Sequence, residues 1–567
     1  MTDRRRTRLE GDRKRAIETG RSRLLFTGAV LTAAFVAIGV RLIDVALLQA
    51  GVEPRDLPPA QLARGTAAKT EITDRHGVVL AVNLGTAALY ANTAWITDAD
   101  ATASALAGVL PDLDVARIAE RLRVPERYLS LRRHLTPSEQ YEILRMGIPG
   151  LVLEPDQRRV YPMGNLAAHV VGFSDPDGKG LAGVERQFDS ELRAGSGALV
   201  LSLDIRIQHV LRHELLAAMT EHRAAGAAGL VLDATNGEVL AMVSLPDFDP
   251  NRARSAGAEQ RFNRAALGIY EMGSTFKILS TALALDAGAV TLSDRIDARR
   301  PIRIARFTIR DYHAKERWLS VPEVFIYSSN IGAAKLGLAV GGKRMRRFLD
   351  DLGMFRRVPV EIGETGRPLF PRRWREINTM TVSFGHGVAV SPLHLTSAVA
   401  AVVNGGMLNP PTLLKRPPEV RPKGRRVLSR ATSDKMRRLM RLVVVEGTGS
   451  KAAAAGYLVG GKTGTAEQAG RGGYRKKRLL SSFIAAFPMH RPRYVVLALL
   501  DQPRGTRKTH GYATGGWVAA PVVGKTVARI GPLLGVKPVD EQSQQIERRM
   551  RLELVSASQG GQEHASR

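Results

Sequence analysis

The sequence predicts an α+β protein whose main domain is a five-stranded antiparallel sheet with helices packed on it. Three stretches predict the sheet. Gly229–Leu245, GLVLDATNGEVLAMVSL, is two β-type runs around Asn236-Gly237, a pair that tolerates the positive φ angles of a tight hairpin turn. Ser481–Asp501, SSFIAAFPMHRPRYVVLALLD, is a second hairpin around a proline-containing turn. Tyr457–Gly464, YLVGGKTG, supplies a fifth strand beside it.

Helical patterns fill the interval between the hairpins. They run over Ser274–Ala287, closed by Gly288, and over Val321–Tyr327, Ile331–Ala339 and Ser433–Val445. Residues 51–195 alternate short apolar runs with Pro, Gly and Asp turns, with one helix near Val115–Leu122. They read as an irregular module without a catalytic constellation. Residues 536–567 are polar, with clusters of Gln and Ser, and read as a disordered tail.

The N-terminus predicts a membrane anchor. Leu24–Val40 is 17 residues without a charge, and the apolar pattern continues past Arg41 and Asp44. About 20 apolar residues span a bilayer, and a flanking arginine can snorkel. Signal-peptide cores are shorter, about 7–15 residues, so this one reads as uncleaved. Residues 1–23 carry nine basic and four acidic side chains, which puts this arm in the cytoplasm and everything after about Ala50 outside.

Composition excludes some chemistry. The 567 residues include no cysteine, so disulfides, thiol nucleophiles and cysteine-bound zinc are absent. With 83 Lys+Arg against 54 Asp+Glu, the net charge is +29. Nucleic acid, anionic lipid and an acidic polymer all suit such a charge, as does a merely solvated arginine-rich surface. No aromatic-studded basic helix and no zinc-finger or RRM signature accompanies it, which argues against nucleic acid.

Gly456, Gly461, Lys462 and Thr463 also fit the phosphate-loop spacing G-x-x-x-x-G-K-[ST]. That loop must open a helix whose N–H groups hold the phosphates. Here the sequel is AEQAGRGGYRKKR, with no helical apolar period, on the outer side of the membrane where no ATP is expected. The phosphate-loop reading fails on both grounds.

Acyl-serine chemistry fits better. Ser274 opens a helix and Lys277 lies one turn on, on the same face. A serine hydroxyl needs a base, and a lysine amine serves if burial or a nearby cation keeps it neutral. Ser328 and Asn330, in YSSNIG between two helices, can project into a cleft; the plainer reading is a turn with Asn330 capping the next helix. Lys462 brings a second cation. Thr463 and Thr465 add hydroxyls, and Gly464 removes a side chain where an extended substrate would lie. The Thr465 N–H would pair with that of Ser274 as an oxyanion hole. S-x-x-K, then S-x-N, then K-T-G is the order of the serine penicillin-binding enzymes.

On these motifs the sequence resembles the class B penicillin-binding proteins over nearly its whole length. RLIDVALLQ (Arg41–Gln49) is similar to the family's junction segment. RGTAAKTEITDRHGVVLAVN (Arg64–Asn83), RRVYPMGNLAAHVVGF (Arg158–Phe173) and GLAGVERQFDSEL (Gly180–Leu192) resemble its pedestal motifs. VSFGHGVAVSPLHL (Val382–Leu395), EGTGSKAA (Glu446–Ala453) and GGWVAAP (Gly515–Pro521) match in the catalytic part. EMGSTFK departs from the family's EPGSTFK at Met272, which is expected to loosen the turn but remove no catalytic group. The pedestal motifs look most like the septal, division-type members, although elongation-type members share the core motifs.

The resemblance implies a penicillin-binding, serine β-lactamase-like transpeptidase domain at 196–535. It follows an elongated pedestal of the dimerisation type at 50–195, a transmembrane helix at 24–46 and a basic arm at 1–23. It implies a D,D-transpeptidase crosslinking peptidoglycan, with Ser274 as nucleophile, Lys277 as general base, and Ser328 relaying protons with Lys462. Asn330 would hold the substrate amide, and Lys462, Thr463 and Thr465 would attract its carboxylate. No metal or organic cofactor is implied. Implied partners are stem peptides, β-lactams, the inner membrane at the septum and a division glycosyltransferase complex, but no nucleic acid. A carboxypeptidase or β-lactamase on the same scaffold would need a water-activating base, which the sequence does not identify.

Overall fold

The structure, a computed structural model, describes residues 21, 23, 25–40 and 69–552, except 196, 305–306, 418, 421 and 471–472. The chain divides into two compact units, 1–65 and 66–567. In the first, residues 25–40 are helical, with Leu25, Phe26 and Phe35 exposed. The hydroxyls of Thr27 and Thr32 donate back to the carbonyls of Arg23 and Gly28, both at 2.8 Å. Among the described residues no helix is long and apolar enough to cross a membrane. Residues 41–46 of the expected span, and nearly all of the basic arm, lie outside the described residues.

The second unit opens on a sheet. Strands β1 (Val79–Ala91), β2 (Leu129–Leu135) and β3 (Leu151–Val160) pair antiparallel, with β1 between the other two. Helices α1 (Ala99–Val109) and α2 (Val115–Arg123) share a core with it that includes Leu89, Leu106, Ile118 and Leu135. The module expected to be irregular is therefore regular. Strand β3, LVLEPDQRRV, hid it: its residues are half-buried or exposed along its length, so polarity does not alternate with period two. Beside this sheet the buried Glu185 carboxylate pairs with Lys69 at 2.9 Å and Arg159 at 2.6 Å, from two of the pedestal-like motifs.

The larger sheet holds β4 (Gly226–Asp233), β5 (Val239–Leu245), β6 (Gly460–Gly470), β7 (Gly473–Phe487) and β8 (Tyr494–Asp501). Its order is β6-β7-β8-β4-β5, antiparallel throughout, as expected. Strand β6 extends through the AEQAG that a phosphate loop would need as helix.

Ten helices matter to this layout. After α1 and α2 come α3 (Ile205–Glu221), α4 (Lys277–Asp286), α5 (Val321–Ile326), α6 (Asn330–Val340) and α7 (Gly342–Asp351). Then follow α8 (Pro392–Val403), α9 (Arg430–Val445) and α10 (Ala520–Leu533). Alternate strand residues divide the core. Val231, Ala241 and Val496 meet α3 and α10, while Leu230, Met242 and Leu497 belong with α4, α8 and α9. Helices α1, α3, α7, α8 and α10 were not anticipated. All twelve residues of α8 are buried, so it has no polar face to mark a 3.6 period.

The disordered tail expected from 536 needs correction for residues 536–552. The Val539 N–H donates to the Gly456 carbonyl at 2.9 Å, Glu541 pairs with Arg441, and Gln544–Met550 is helical. Residues 553–567 lie outside the described residues.

Candidate active site

Ser274 lies on a single 3₁₀ turn, Gly273–Phe276, that runs into α4. Three backbone segments meet there at closest approach. A Cβ on Gly273, at φ +55°, would fall 2.8 Å from the Thr465 carbonyl oxygen. One on Gly385, at φ +86°, would fall 2.0 Å from the Gly273 carbonyl oxygen. Only glycine fits either position. Met272, standing where proline was expected, keeps φ at −79°, close to proline's own angle. Its side chain is buried, and its carbonyl accepts from the Thr275 hydroxyl at 2.8 Å. The turn keeps its shape without proline.

Ser328 and Asn330 come from the junction of α5 and α6. Ser328 has φ +60°, a costly angle for a side chain with a Cβ. The cap of α6 is Ser329, whose Oγ accepts from the Gly332 N–H at 2.9 Å, so Asn330 is released from the capping role. Asp311 secures the junction. Its carboxylate accepts from the Ser329 hydroxyl at 2.7 Å and from the N–H groups of Asn330 and Ile331 at 2.6 and 2.9 Å.

Lys277 is buried beneath these residues. Its Nζ lies 3.0 Å from Ser274 Oγ, 3.1 Å from Ser328 Oγ, 2.6 Å from the Ser328 carbonyl and 2.8 Å from Asn330 Oδ1. The Asn330 Nδ2 donates to the Arg310 carbonyl at 3.0 Å, which fixes the orientation of the amide. The Ser328 carbonyl and Asn330 Oδ1 can therefore only accept. A neutral amine has two N–H groups, and these two acceptors take them. The lone pair is left for the Ser274 hydroxyl.

The electrostatics agree with a neutral amine. Burial, reinforced by the charge of Lys462, drives the Lys277 ammonium well below lysine's ordinary value, against an opposing pull from Asp311. Lys462, on β6, is also fully buried, and burial brings it down to about 7. Its Nζ donates to Ser328 Oγ at 2.9 Å. The repulsion between the two cations is mutual, so the buried pair resists holding two charges, and the two obligate acceptors at Lys277 favour the neutral amine there.

A cleft of about 460 Å³ opens over this cluster, lined by Ser274, Ser328, Asn330, Thr463 and Thr465 among others. The Thr463 hydroxyl is 2.8 Å from that of Thr448, and Thr465 Oγ1 accepts from the Gly515 N–H at 3.1 Å. The two lysines lie beneath the cleft instead of lining it. Gly464 needs a different account from the one expected. A Cβ there would fall 2.4 Å from Ser482 Oγ, 2.8 Å from Thr275 Cγ2 and 2.9 Å from the Met272 carbonyl. Its missing side chain makes room for the nucleophile's turn, not for a substrate. A separate cavity of about 940 Å³, lined by Tyr270, Glu271, Leu369 and Asp501 among others, contains none of the expected site residues.

Several site residues escaped the sequence reading. Asp311 stands in no recognised motif. Thr448 and Lys451 lie in EGTGSKAA, His386 in VSFGHG and Trp517 in GGWVAAP, all matched without a role. Each lines the cleft, and Lys451 Nζ sits 4.3 Å from the centre of the Trp517 ring, an exposed cation at the mouth.

Comparison with known proteins gives this site its class. Residues 227–528 match the penicillin binding protein transpeptidase domain, and 64–212 match the penicillin-binding protein dimerisation domain. The chain belongs to the class B penicillin-binding proteins. Within that family it is 45% identical over 483 residues to the probable peptidoglycan D,D-transpeptidase FtsI of Caulobacter vibrioides, covering 83% of this chain and 82% of that one. It is 28% identical over 550 residues to the peptidoglycan D,D-transpeptidase FtsI of Escherichia coli, covering 91% and 92%. Among solved structures it resembles penicillin binding protein 3 of Mycobacterium tuberculosis complexed with aztreonam. That match has a TM-score of 0.67 and 25% identity, and covers 84% of this chain and 98% of the other.

Proposed function

We propose that this protein is a peptidoglycan D,D-transpeptidase of septal wall synthesis that works through an acyl-serine on Ser274. The observation that carries the reading is the Lys277 amine, with both its N–H groups directed at obligate acceptors and its lone pair at Ser274 Oγ. Ser274 Oγ attacks the carbonyl of the penultimate D-Ala of a stem peptide, and its proton passes to Lys277. The N–H groups of Ser274 and Thr465 hold the oxyanion. The proton moves through Ser328 Oγ to the departing D-Ala nitrogen, with Lys462 keeping Ser328 oriented. An amine of a second stem then attacks the ester, gives its proton to Lys277, and restores Ser274.

Thr463 and Thr465 bind the terminal carboxylate, with Lys462 supplying charge from beneath. Asn330 acts on Lys277, since both ends of its amide are engaged within the protein. Gly464 serves by letting β6 approach the nucleophile's turn. β-Lactams acylate the same serine.

The septal role rests on the FtsI relatives and the pedestal motifs. In this reading residues 24–46 anchor the protein in the inner membrane, with 1–23 in the cytoplasm. The pedestal (50–195) and catalytic domain (196–535) lie outside, working with a division glycosyltransferase complex.

The test is the full-length protein given two stems, one with D-Ala-D-Ala and one with a free amine. Release of D-Ala with a crosslinked dimer is expected. Release of D-Ala with only the trimmed acid would indicate a hydrolase instead.

A further inference from the structure

The net charge of +29 has no part in the chemistry above. A concentrated share of it lies at one place on the catalytic domain. A cleft of about 690 Å³ is lined by five cations, Lys343, Arg346, Arg372, Arg373 and Arg375, against one carboxylate, Glu376. Leu338 and Gly341, at the far end of α6 from Asn330, also line it. Eleven residues of helix at about 1.5 Å each separate it from the active site by about 15 Å.

Helix α7 carries its charges the wrong way round for its own stability. Lys343 and Arg344 stand in its first turn and Asp350 and Asp351 in its last, each opposed to the helix dipole. The two aspartates are matched, by Arg356 at 3.1 Å and Arg425 at 2.6 Å. Among the described residues the five cations of the cleft make no ion pair. The segment that carries three of them, Arg372–Arg375, is held in place by Trp374. Trp374 donates from Nε1 to Thr379 Oγ1 at 2.9 Å, and its ring packs edge-on against Phe355. Gly342 comes so close that a Cβ would meet Trp374 Cδ1 at 3.0 Å.

We propose that this cleft binds a phosphate-bearing anion. Guanidinium forks suit the paired oxygens of a phosphate, and the first turn of α7, which has no side-chain cap, begins at Gly342 and Lys343 in the lining of the same cleft. A bound anion would compensate both the dipole and the cations. Membrane phospholipid headgroups and soluble pyrophosphate present the same chemistry. The site does not depend on the proposed reaction.

The test uses full-length protein in neutral detergent, titrated with inorganic pyrophosphate. A triple variant, Arg346→Gln, Arg372→Gln and Arg373→Gln, serves as control; all three side chains are exposed. Pyrophosphate should raise the Tm of the parent protein, and the variant should bind at least about tenfold more weakly. Without ligand the variant should be no less stable, and its penicillin acylation should be unchanged. Equal binding by both proteins would overturn the proposal, as would tighter binding of a short poly-glutamate peptide than of pyrophosphate, which would indicate an acidic protein partner. Repeating the titration in nanodiscs identifies the source of the anion. If phosphatidylglycerol discs weaken pyrophosphate binding relative to phosphatidylcholine discs, lipid fills the site; equal binding assigns it to a soluble phosphate.

Discussion

The Nζ of Lys277 lies 3.0 Å from the Oγ of Ser274, and two acceptors on the α5–α6 junction leave its lone pair for that hydroxyl. This relationship separates the two buried lysines. Arginine cannot lose a proton at any relevant pH, and its planar fork does not fit where a compact amine did. General-base catalysis is typically worth about 10²–10⁴-fold in rate. Lys277→Arg should lower the second-order constant for penicillin acylation by at least about that factor. Lys462→Arg, which keeps the charge, should retain appreciably more activity. The reverse order would place the base on Lys462.

The same pair predicts a pH profile. Acylation of the free protein needs Lys277 neutral and Lys462 charged. Lys277 is driven well below its ordinary value, so it produces the acid limb. Lys462, at about 7, produces the alkaline limb: as pH rises through that value it loses its proton, its attraction for an anionic substrate fades and the rate falls. In Lys462→Arg the alkaline limb should disappear. Its persistence in that variant would assign it to another group.

Asp311 ties Ser329, Asn330 and Ile331 together through three hydrogen bonds. Asp311→Ala leaves two backbone donors without that partner, a loss of about 1–3 kcal/mol in stability. It should also release Asn330 from Lys277. Thermal unfolding and penicillin acylation should both decline. A variant with unchanged acylation would show that the junction holds its shape unaided.

Gly464→Ala tests the packing account of β6. The added methyl meets Ser482 Oγ, Thr275 and the Met272 carbonyl, an overpacking worth about 1–3 kcal/mol. Adding Ser482→Gly removes the closest clash and should restore part of the stability. Full stability and full acylation in the single variant would refute the close approach.

The sequence was most legible where chemistry is local. Ser274 and Lys277 share a helical face by spacing alone, and the two hairpins announce four of the five strands. What escaped depends on distant neighbours. Asp311 acts on α6 across 18 to 20 residues of chain, and nothing beside it marks the role. The positive φ of Ser328 is imposed by the α5–α6 junction, and Ser329, not Asn330, proves to be the cap. Gly464 read as space for an extended substrate, but the turn bearing Ser274 packs against it through Thr275 and the Met272 carbonyl, a neighbour that strand spacing does not reveal. Helix α8 is buried all round, which leaves no periodic signal to read.

The most direct test of the central claim is peptide mass analysis of the full-length protein after brief exposure to benzylpenicillin. One stable adduct is expected, on the peptide that contains Ser274, and none in Ser274→Ala. An adduct on any other residue, or rapid release of hydrolysed penicillin without an adduct, would contradict the account.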